Sequence, residues 1–305
     1  MSKLITVFGA TGNQGGSVIK HILADPVLSK EFKVRGITRD ASKPAAQALT
    51  KQGVEMKSAD MNSKSSLTAA IHGSHTVFLV TNYWESVQYS VEVTQGKNVA
   101  DAAADAGVQH LIFSTLLNVT KLTAGRLGHV PHFDGKADIA DYIRHETNVP
   151  ATFYLPGYFM SNFAQMLQKA DDGKSYTLAF PVGKDAPFPL VDIAEDTGKF
   201  VKAIIKNRDR LLGASVFGAA DYYSPERILA ELEEVTGKEA TYVRVSPEQY
   251  KGALPDFMAE EMLENHLFIE EPGYYGGAGL EGSLAILEEG ERPVSWREFV
   301  GKSGF

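Results

Sequence analysis

The sequence of 305 residues contains no cysteine. A disulfide framework, a thiolate metal site and a cysteine nucleophile are therefore excluded for this sequence. The lack of cysteine also agrees with a reducing compartment, so we expect an intracellular protein.

Long apolar runs and an excess of basic charge are also missing. No apolar run approaches the roughly 20 residues that a membrane helix needs, and the first one, 4–8, ends at Gly9. Thirty Lys and Arg side chains against 38 Asp and Glu give a formal net charge of −8. Such a chain repels nucleic-acid backbones, and no local basic patch offsets the repulsion. We expect a soluble protein that contacts neither membrane nor nucleic acid directly.

Six β-rich runs in the first half are separated by segments with helical periodicity. The predicted strands are residues 4–8, 33–38, 54–58, 76–80, 110–114 and 151–155. Between the first two, Val18, Ile19, Ile22 and Leu23 fall on one face of a helix. Alternating strands and helices predict right-handed βαβ units with helices on both sheet faces. We therefore predict an α/β fold with a Rossmann-type doubly wound parallel sheet.

The second half is less regular and predicts a smaller α+β lobe. Helices are predicted over residues 192–205, 225–236 and 255–268, and strands over 214–217 and 240–245. The acidic residues of helix 255–268 are expected on its outer face. Residues 270–282 are rich in glycine around Tyr274 and Tyr275 and predict a loop. This loop either covers a pocket or forms an exposed surface for a partner.

Gly9, Gly12 and Gly15 directly follow the first predicted strand with the spacing Gly-x-x-Gly-x-x-Gly, and a helix follows them. The first glycine permits a tight turn, the second lets the backbone approach a pyrophosphate, and the third lets the helix pack on the strand. Amide groups at the helix N-terminus can then bind phosphate. The alternative is a plain β-α turn, but the flanking strand and helix favour a dinucleotide site.

The end of the second strand favours NADP(H) over NAD(H). Arg39 stands where an acidic residue would bind the ribose 2′-hydroxyl and a basic one a 2′-phosphate. Arg39 offers a planar fork, and Lys43 offers a second charge. The alternative is a solvated Arg39 with Asp40 as the ribose ligand. We predict an NADP-binding Rossmann domain over residues 1–155, which later segments can join, and a smaller lobe over 156–305 that covers the nicotinamide and substrate cleft.

Polar residues follow two further predicted strands. Asp60 and Met61 stand where an adenine edge would lie, and Thr81 and Asn82 where polar groups line the ligand crevice of an open sheet. The aromatic pair 83–84 fits equally a ligand contact or a lid packed on the next helix.

Several motifs together resemble the NmrA-like family, an atypical branch of the extended short-chain dehydrogenases. The motifs are residues 9–16, 34–39, 81–85, 122–127, 132–136 and 155–159, in this order. The resemblance covers about the first 165 residues. It implies a site for NADP(H), and it implies relatives of two kinds: regulators that report the cellular redox ratio to protein partners, and reductases.

The resemblance also implies roles for individual residues. Implied cofactor contacts are the loop residues Gly9, Thr11, Gly12, Asn13, Gln14, Gly15 and Gly16, the phosphate-side residues Arg39 and Lys43, the adenosine-side residues Asp60 and Met61, and the ribose-side residues Thr81, Asn82, Tyr83 and Lys136. The implied segment over the nicotinamide is Tyr158, Phe159, Met160 and Ser161.

The catalytic residues of the parent superfamily are only partly present. Its enzymes use a tyrosine acid with a lysine one helical turn later, and a serine on the fifth strand. Here Lys136 and Ser114 are present, but His132 stands at the tyrosine position. His132 either donates a proton, since imidazole exchanges protons near neutral pH, or it caps the helix or faces solvent. Tyrosines that could substitute are Tyr89, Tyr142, Tyr154 and Tyr158.

Two functions follow as hypotheses. The first is an NADP(H) sensor that regulates a protein partner, with little or altered dehydrogenase activity, in the cytoplasm and also the nucleus. The second is an NADPH-dependent reductase of a small carbonyl or aromatic metabolite that uses Lys136 and His132. A homodimer is open in either case. No metal is predicted, because neither His110 nor His129 has partners at metal-ligand spacing.

Overall fold

The computed structural model describes residues 2–171 and 173–305. The strands are β1 (Lys3–Val7), β2 (Phe32–Thr38), β3 (Glu55–Ser58), β4 (Thr76–Leu79), β5 (His110–Ser114), β6 (Ala151–Pro156), β7 (Tyr158–Phe159), β8 (Gln168–Lys169), β9 (Ser175–Phe180), β10 (Phe188–Val191), β11 (Ser215–Gly218), β12 (Asp221–Tyr223) and β13 (Glu239–Arg244). The six strands predicted in the first half are all present, with each end within one residue of its predicted position.

Seven strands form one parallel sheet in the order β3-β2-β1-β4-β5-β6-β11. The strands β4, β5 and β6 are buried along their whole length, because helices cover both faces of the sheet. The order reverses between β1 and β4, and open α/β sheets bind ligands at such a reversal. The predicted Rossmann-type α/β fold is confirmed.

The helices are α1 (Asn13–Ala24), α2 (Leu28–Glu31), α3 (Pro44–Lys51), α4 (Lys64–Ile71), α5 (Tyr89–Asp105), α6 (Val119–Leu122), α7 (Pro131–Glu146), α8 (Phe163–Met166), α9 (Ile193–Lys206), α10 (Arg208–Leu211), α11 (Pro225–Thr236), α12 (Pro247–Gly252), α13 (Asp256–Phe268), α14 (Glu281–Leu284) and α15 (Trp296–Ser303). Short 3₁₀ turns span Tyr83–Glu85 and Met160–Asn162. α1 packs on α9, and α5 packs on α4 and α7. In the described part of the chain, no helix is both long and apolar enough to cross a bilayer.

Capping residues explain where the helices of the second half begin. α11 starts as predicted, because the Ser224 hydroxyl accepts a hydrogen bond from the Arg227 amide and Pro225 occupies the first turn. α9 begins one residue later than predicted, since Asp192 caps the helix with its carboxylate.

Part of the second half returns to the main sheet. β11 pairs with β6, and α9 packs on α1. The remainder forms two three-stranded sheets, β12-β10-β7 and β13-β9-β8, with α11, α12, α13 and α15 beside them. The larger apolar core runs continuously from the α5 face of the main sheet into this remainder. Helix α13 is thereby held against the first half.

The structure decides between the two alternatives for the predicted glycine-rich loop and corrects the expectation for the acidic residues of α13. The aromatic pair of the predicted glycine-rich loop is not an exposed surface: Tyr274 and Tyr275 are buried and donate hydrogen bonds to carbonyls at the end of β6. A π-helical turn over Ile269–Gly273 precedes them. The acidic residues of α13 do not all lie outside, because Glu261 and Glu264 are buried against histidines of the first half.

Candidate functional site

A cavity of about 700 Å³ lies at the carboxyl ends of the central strands. Residues that follow β1, β2, β3, β4 and β5 form its wall, and α7 and α13 close one side. The volume falls in the range of roughly 300–1,000 Å³ that is usual for small-molecule sites. The cavity therefore occupies the position and has the size expected of a ligand site.

The loop after β1 contributes backbone to this wall. Gly9 has a φ of +63°, and a Cβ on Gly15 would lie 2.3 Å from the Gly9 carbonyl oxygen. Both positions therefore require glycine. The predicted loop residues on the wall are Gly9, Thr11, Gly12, Asn13, Gln14 and Gly15.

Helix α1 begins at the cavity without a side-chain cap. Its N-cap residue is Gly12, and no acidic residue lies in the first turn. The first amide groups of a helix have no carbonyl partner within it, and the positive end of the helix dipole adds to their field. This terminus can bind a phosphate group.

The open end of the cavity is built around Arg39. Arg39 follows β2, is largely exposed, and forms an ion pair with Glu85 in the turn after β4. Asp60 and Met61 line the same end. Asp40, the alternative ribose ligand, instead accepts hydrogen bonds from the Ser42 amide and hydroxyl. The Arg39 guanidinium could bind a 2′-phosphate at this end, and the phosphate would then replace Glu85 as its partner.

Lys136 on α7 is held at the wall by Thr81 and Glu92. Its Nζ donates to the Thr81 hydroxyl at 2.8 Å and to the Thr81 carbonyl at 3.2 Å, and it forms an ion pair with Glu92. The Thr81 hydroxyl donates to the same carboxylate at 2.6 Å. Glu92 is 1% exposed, and its Oε2 has no hydrogen-bond partner. A buried carboxylate from α5 thus fixes the ammonium group beside the cavity.

His132 lies one helical turn before Lys136 and is held by Glu261. The Glu261 Oε1 accepts hydrogen bonds from the His132 backbone amide at 3.1 Å and from the ring Nδ1, and Oε2 accepts from the Tyr83 hydroxyl at 3.2 Å. We assign the Nδ1 hydrogen from this contact, because a carboxylate only accepts. Proton exchange with a ligand therefore falls to Nε2.

Aromatic rings surround His132. The centroids of Phe133 and Trp84 lie 4.9 Å and 5.2 Å from the centroid of its ring. Tyr83 and Trp84 both line the cavity, as the first of the two alternatives expects, and Trp84 also contacts His132 on α7. Burial, with the Glu261 carboxylate adding to it, raises the pKa of Tyr83 well above its usual range. Tyr83 is therefore a poor proton donor.

Ser114 and the candidate tyrosines do not complete a Ser-Tyr-Lys set. The Ser114 hydroxyl donates to the Gln14 side chain at 2.7 Å and so joins β5 to the glycine loop. Tyr158 lines the cavity, but burial raises its pKa well above the usual range. The other three candidates, Tyr89, Tyr142 and Tyr154, lie off the wall.

The closed end of the cavity is mainly apolar. Side chains from five segments meet there: Phe133, Tyr158, Phe159, Met166, Met262, Asn265 and Tyr274. Polarizable thioethers and ring faces suit a flat apolar ligand.

Four residues of the predicted cofactor set are not on the wall. Gly16 lies further into α1, and Lys43 is the exposed N-cap of α3. In the turn after β7, Met160 is buried in the core and Ser161 is exposed. Successive residues of a turn point in different directions, so a continuous motif does not place all its side chains in one site.

Among the residues on or beside the wall that the sequence reasoning missed, four carry polar groups that matter for the site: Glu85, Glu92, Glu261 and Asn265. Glu85 stands inside a recognised motif, so its acidic side chain beside the cofactor segment was a usable signal. Glu261 is 129 residues from His132, and nothing in a single sequence links the two.

A possible metal-ligand group has a simpler explanation. Ligand atoms of His129, Glu260 and Glu264 lie within 4.8 Å of one another. The His129 amide and ring both hydrogen-bond to Glu264, and this pair raises the pKa of His129. These contacts explain the proximity without an ion, and no metal site is inferred.

Comparison with known proteins identifies relatives over most of the chain. The NmrA-like oxidoreductase malD of Malbranchea aurantiaca is 35% identical over 259 residues, which are 80% of this chain and 76% of that protein. NmrA, a negative transcriptional regulator solved with NADP, superposes with a TM-score of 0.82 at 22% identity over 99% of this chain and 95% of that one. An NADPH-dependent quinone oxidoreductase from Escherichia coli, solved with NADPH, gives a TM-score of 0.77 at 22% identity over 99% and 100%.

The two structural likenesses, both below 25% identity, establish the fold. The family follows from sequence, because the model of the NmrA-like family matches residues 1–300. The chain belongs to the NmrA-like family.

Proposed function

We propose that the chain binds NADP(H) and reduces the carbonyl group of a small, largely apolar molecule. The observation that carries the proposal is His132, whose ring lies in the cavity wall one turn before Lys136 with Nδ1 held by Glu261. Relatives named as oxidoreductases, and a similar fold solved with NADPH, support the class of reaction.

The residues of the open end fit the cofactor. The N-terminus of α1 would bind the pyrophosphate, and Arg39 would bind the 2′-phosphate after leaving Glu85. The three donors of Lys136 are directed at Thr81 and Glu92, so Lys136 would donate to a ribose hydroxyl after giving up one of its two contacts with Thr81.

The protein supplies the proton of the reaction. The reduced nicotinamide, when bound, supplies a hydride to the carbonyl carbon. His132, protonated on both ring nitrogens, donates its Nε2 proton to the carbonyl oxygen, so that C=O becomes CH–OH. The neutral ring keeps its Nδ1 hydrogen on Glu261 and takes up one solvent proton at Nε2, so that each turnover consumes one H⁺. Exclusion of water by the apolar closed end strengthens these polar contacts.

A second candidate is an NADP(H) sensor that acts through a protein partner. The Arg39–Glu85 ion pair favours it, because a 2′-phosphate that takes Arg39 would release the turn Tyr83–Glu85. That release would alter the surface around the exposed Trp84. NADPH and NADP⁺ carry the same 2′-phosphate, so this exchange alone would report occupancy by a phosphorylated nucleotide. To report the redox ratio, the two forms would also have to differ in their affinity for the two states of the protein.

Calorimetric titration with NADPH, NADP⁺, NADH and NAD⁺ tests the cofactor. We expect the two phosphorylated forms to bind at least about tenfold more tightly, as one charge-assisted contact is worth about 1.5–3 kcal/mol. Equal affinity for all four nucleotides would contradict the assignment of Arg39.

A screen of NADPH oxidation with aldehydes and quinones tests the reaction. We expect turnover that falls about 10²–10⁴-fold in His132→Gln, with NADPH affinity unchanged. The matched control is His129→Gln, an exposed histidine three residues earlier, which should keep the wild-type rate. Absence of turnover with any compound, together with unequal affinities for NADPH and NADP⁺, would favour the sensor instead.

A further inference from the structure

Helix α13 brings a second polar side chain to the closed end of the cavity. Asn265 lies one helical turn after Glu261, so the two side chains share a face of α13, with Cβ atoms about 6 Å apart. Since Glu261 holds His132, Asn265 lies on the same wall as the proposed proton donor.

The Asn265 side chain has an unused acceptor. The residue is 6% exposed, and its Oδ1 has no hydrogen-bond partner. Four other buried side-chain atoms in the described residues share this property, in Arg35, Glu92, Tyr154 and Glu291, and none of these residues lines the cavity. A buried carbonyl oxygen without a partner costs about 1–3 kcal/mol. Since Oδ1 itself has almost no accessible surface, a ligand recovers that cost by supplying the donor once the amide of Asn265 turns Oδ1 toward the cavity.

The side chains around Asn265 indicate the chemical class of the ligand. Met166, Met262 and Tyr274 line the same end of the cavity, and the burial of Tyr274 raises its pKa well above the usual range. Tyr274 donates its hydroxyl hydrogen to the Pro156 carbonyl at 3.3 Å. The wall therefore offers thioether and ring surfaces together with the unpaired acceptor of Asn265.

We propose that Asn265 is a substrate-specificity residue that accepts a hydrogen bond from a hydroxyl or N–H group on an aromatic carbonyl substrate. The inference rests on the proposed reductase function. Hydride reaches the carbonyl carbon and the His132 proton reaches its oxygen, as above, while the donor group on Asn265 is unchanged by the reaction. A site that leaves its acceptor unpaired disfavours analogues that lack the donor.

The first test uses pairs of aldehydes that differ by one hydroxyl: 4-hydroxybenzaldehyde with benzaldehyde, and 6-hydroxy-2-naphthaldehyde with 2-naphthaldehyde. The variants are Asn265→Leu, which removes the acceptor at similar volume, and Asn265→Asp, which keeps it. For each pair, the kcat/KM of the hydroxylated aldehyde is divided by the kcat/KM of the parent aldehyde. This ratio in the wild type is then divided by the same ratio in the variant, so that the intrinsic reactivity of each aldehyde cancels. We expect a value of at least about tenfold for Asn265→Leu in one of the pairs, and a value near one for Asn265→Asp.

The control is Asn207→Leu, at the opposite end of the sheet, where the amide is already bonded to the carbonyls of Ala203 and Ile286. This variant should keep the wild-type preference. A wild type without preference in either pair, or a preference that survives in Asn265→Leu, would overturn the proposal. The proposal would also be overturned if Asn265→Leu lost NADPH affinity but kept the preference for the hydroxylated aldehyde, because Asn265 would then contact the cofactor.

The second test needs no turnover. The NADP⁺-saturated protein is titrated calorimetrically with 6-hydroxy-2-naphthalenemethanol and with 2-naphthalenemethanol, the alcohols that correspond to the second pair. Tighter binding of the hydroxylated alcohol in the wild type and in Asn265→Asp, but not in Asn265→Leu, supports the subsite even if no aldehyde is reduced. Equal binding of both alcohols overturns the subsite while leaving the reductase function standing.

Discussion

The two ends of the cavity hold their charged side chains in opposite ways. At the open end, the side chains of Arg39 and Glu85 are 74% and 45% exposed. At the closed end, no side chain of the Lys136–Glu92 and His132–Glu261 pairs is more than 14% exposed. Exposed pairs are worth about 0–1 kcal/mol, whereas removing one partner of a buried pair costs about 3–5 kcal/mol. The open end can exchange a partner for a ligand, and the closed end preserves its geometry.

The largest expected effect comes from breaking the closed end. Glu92→Gln leaves the Lys136 ammonium group buried beside a neutral amide, so we expect a loss of about 3–5 kcal/mol in the free energy of unfolding. Urea denaturation measures it. Glu85→Gln makes the same chemical change at the open end and should cost less than about 1 kcal/mol. Similar losses in the two variants would remove the distinction between the two ends.

The second effect concerns which ligand the open end takes. Arg39→Asp should weaken NADPH binding about 10–100-fold, since a charge-assisted contact to phosphate is lost, and should leave NADH within about threefold. Titration calorimetry measures both. Lys43→Asp makes the same charge change off the wall and should have little effect. Equal losses for the two nucleotides would refute Arg39 as the selector.

A smaller effect concerns the replacement of Glu85 by a ligand phosphate as the partner of Arg39. Because Glu85 competes with a ligand phosphate for Arg39, Glu85→Gln should tighten NADPH binding by up to about fivefold, which is the value of an exposed ion pair. NADH binding should not change. Weaker NADPH binding in this variant would show that Glu85 helps rather than competes.

The smallest effect concerns the exposed His129–Glu264 pair, which lies off the cavity wall. The pair with Glu264 raises the pKa of the exposed His129, so its stabilisation is complete below the unfolded pKa of about 6.5 and is lost as pH rises through the higher folded pKa. His129→Gln should therefore lower stability by less than about 1 kcal/mol at pH 6 and by less still at pH 9. Urea denaturation at the two pH values measures the change, and an effect that grows with pH would contradict it.

Much of the fold was predictable because it depends on local patterns. The strands β1 to β6 are short apolar runs between helical segments, and the periodicity of such runs needs no knowledge of distant residues. The glycine loop was predictable for a related reason: the turn itself demands glycine at Gly9 and Gly15. The buried faces of α13 were not predictable, since Glu261 and Glu264 look like solvent residues until their histidine partners are in place.

The residues of the site divide in the same way, into those predictable from local spacing and those that depend on distant contacts. Lys136 and His132 could be chosen from their spacing on one helix, but their carboxylate partners come from α5 and α13. Contacts between residues 44 or 129 positions apart depend on how the helices pack, and helix packing is not a property of a single segment. Lys43 and Ser161, which the family resemblance implied as cofactor contacts, do not line the cavity although their neighbours in the chain do, and their role stays a prediction.

Trp84 has a consequence for how the molecule can be observed. The sequence has two tryptophans; Trp296 is wholly buried among Phe163 and Phe299, whereas Trp84 lies half-exposed beside His132. Reduced nicotinamide absorbs light where indole emits. The indole of Trp84 is therefore a native fluorophore on the cavity wall, whose emission would report occupancy by the reduced cofactor without any label.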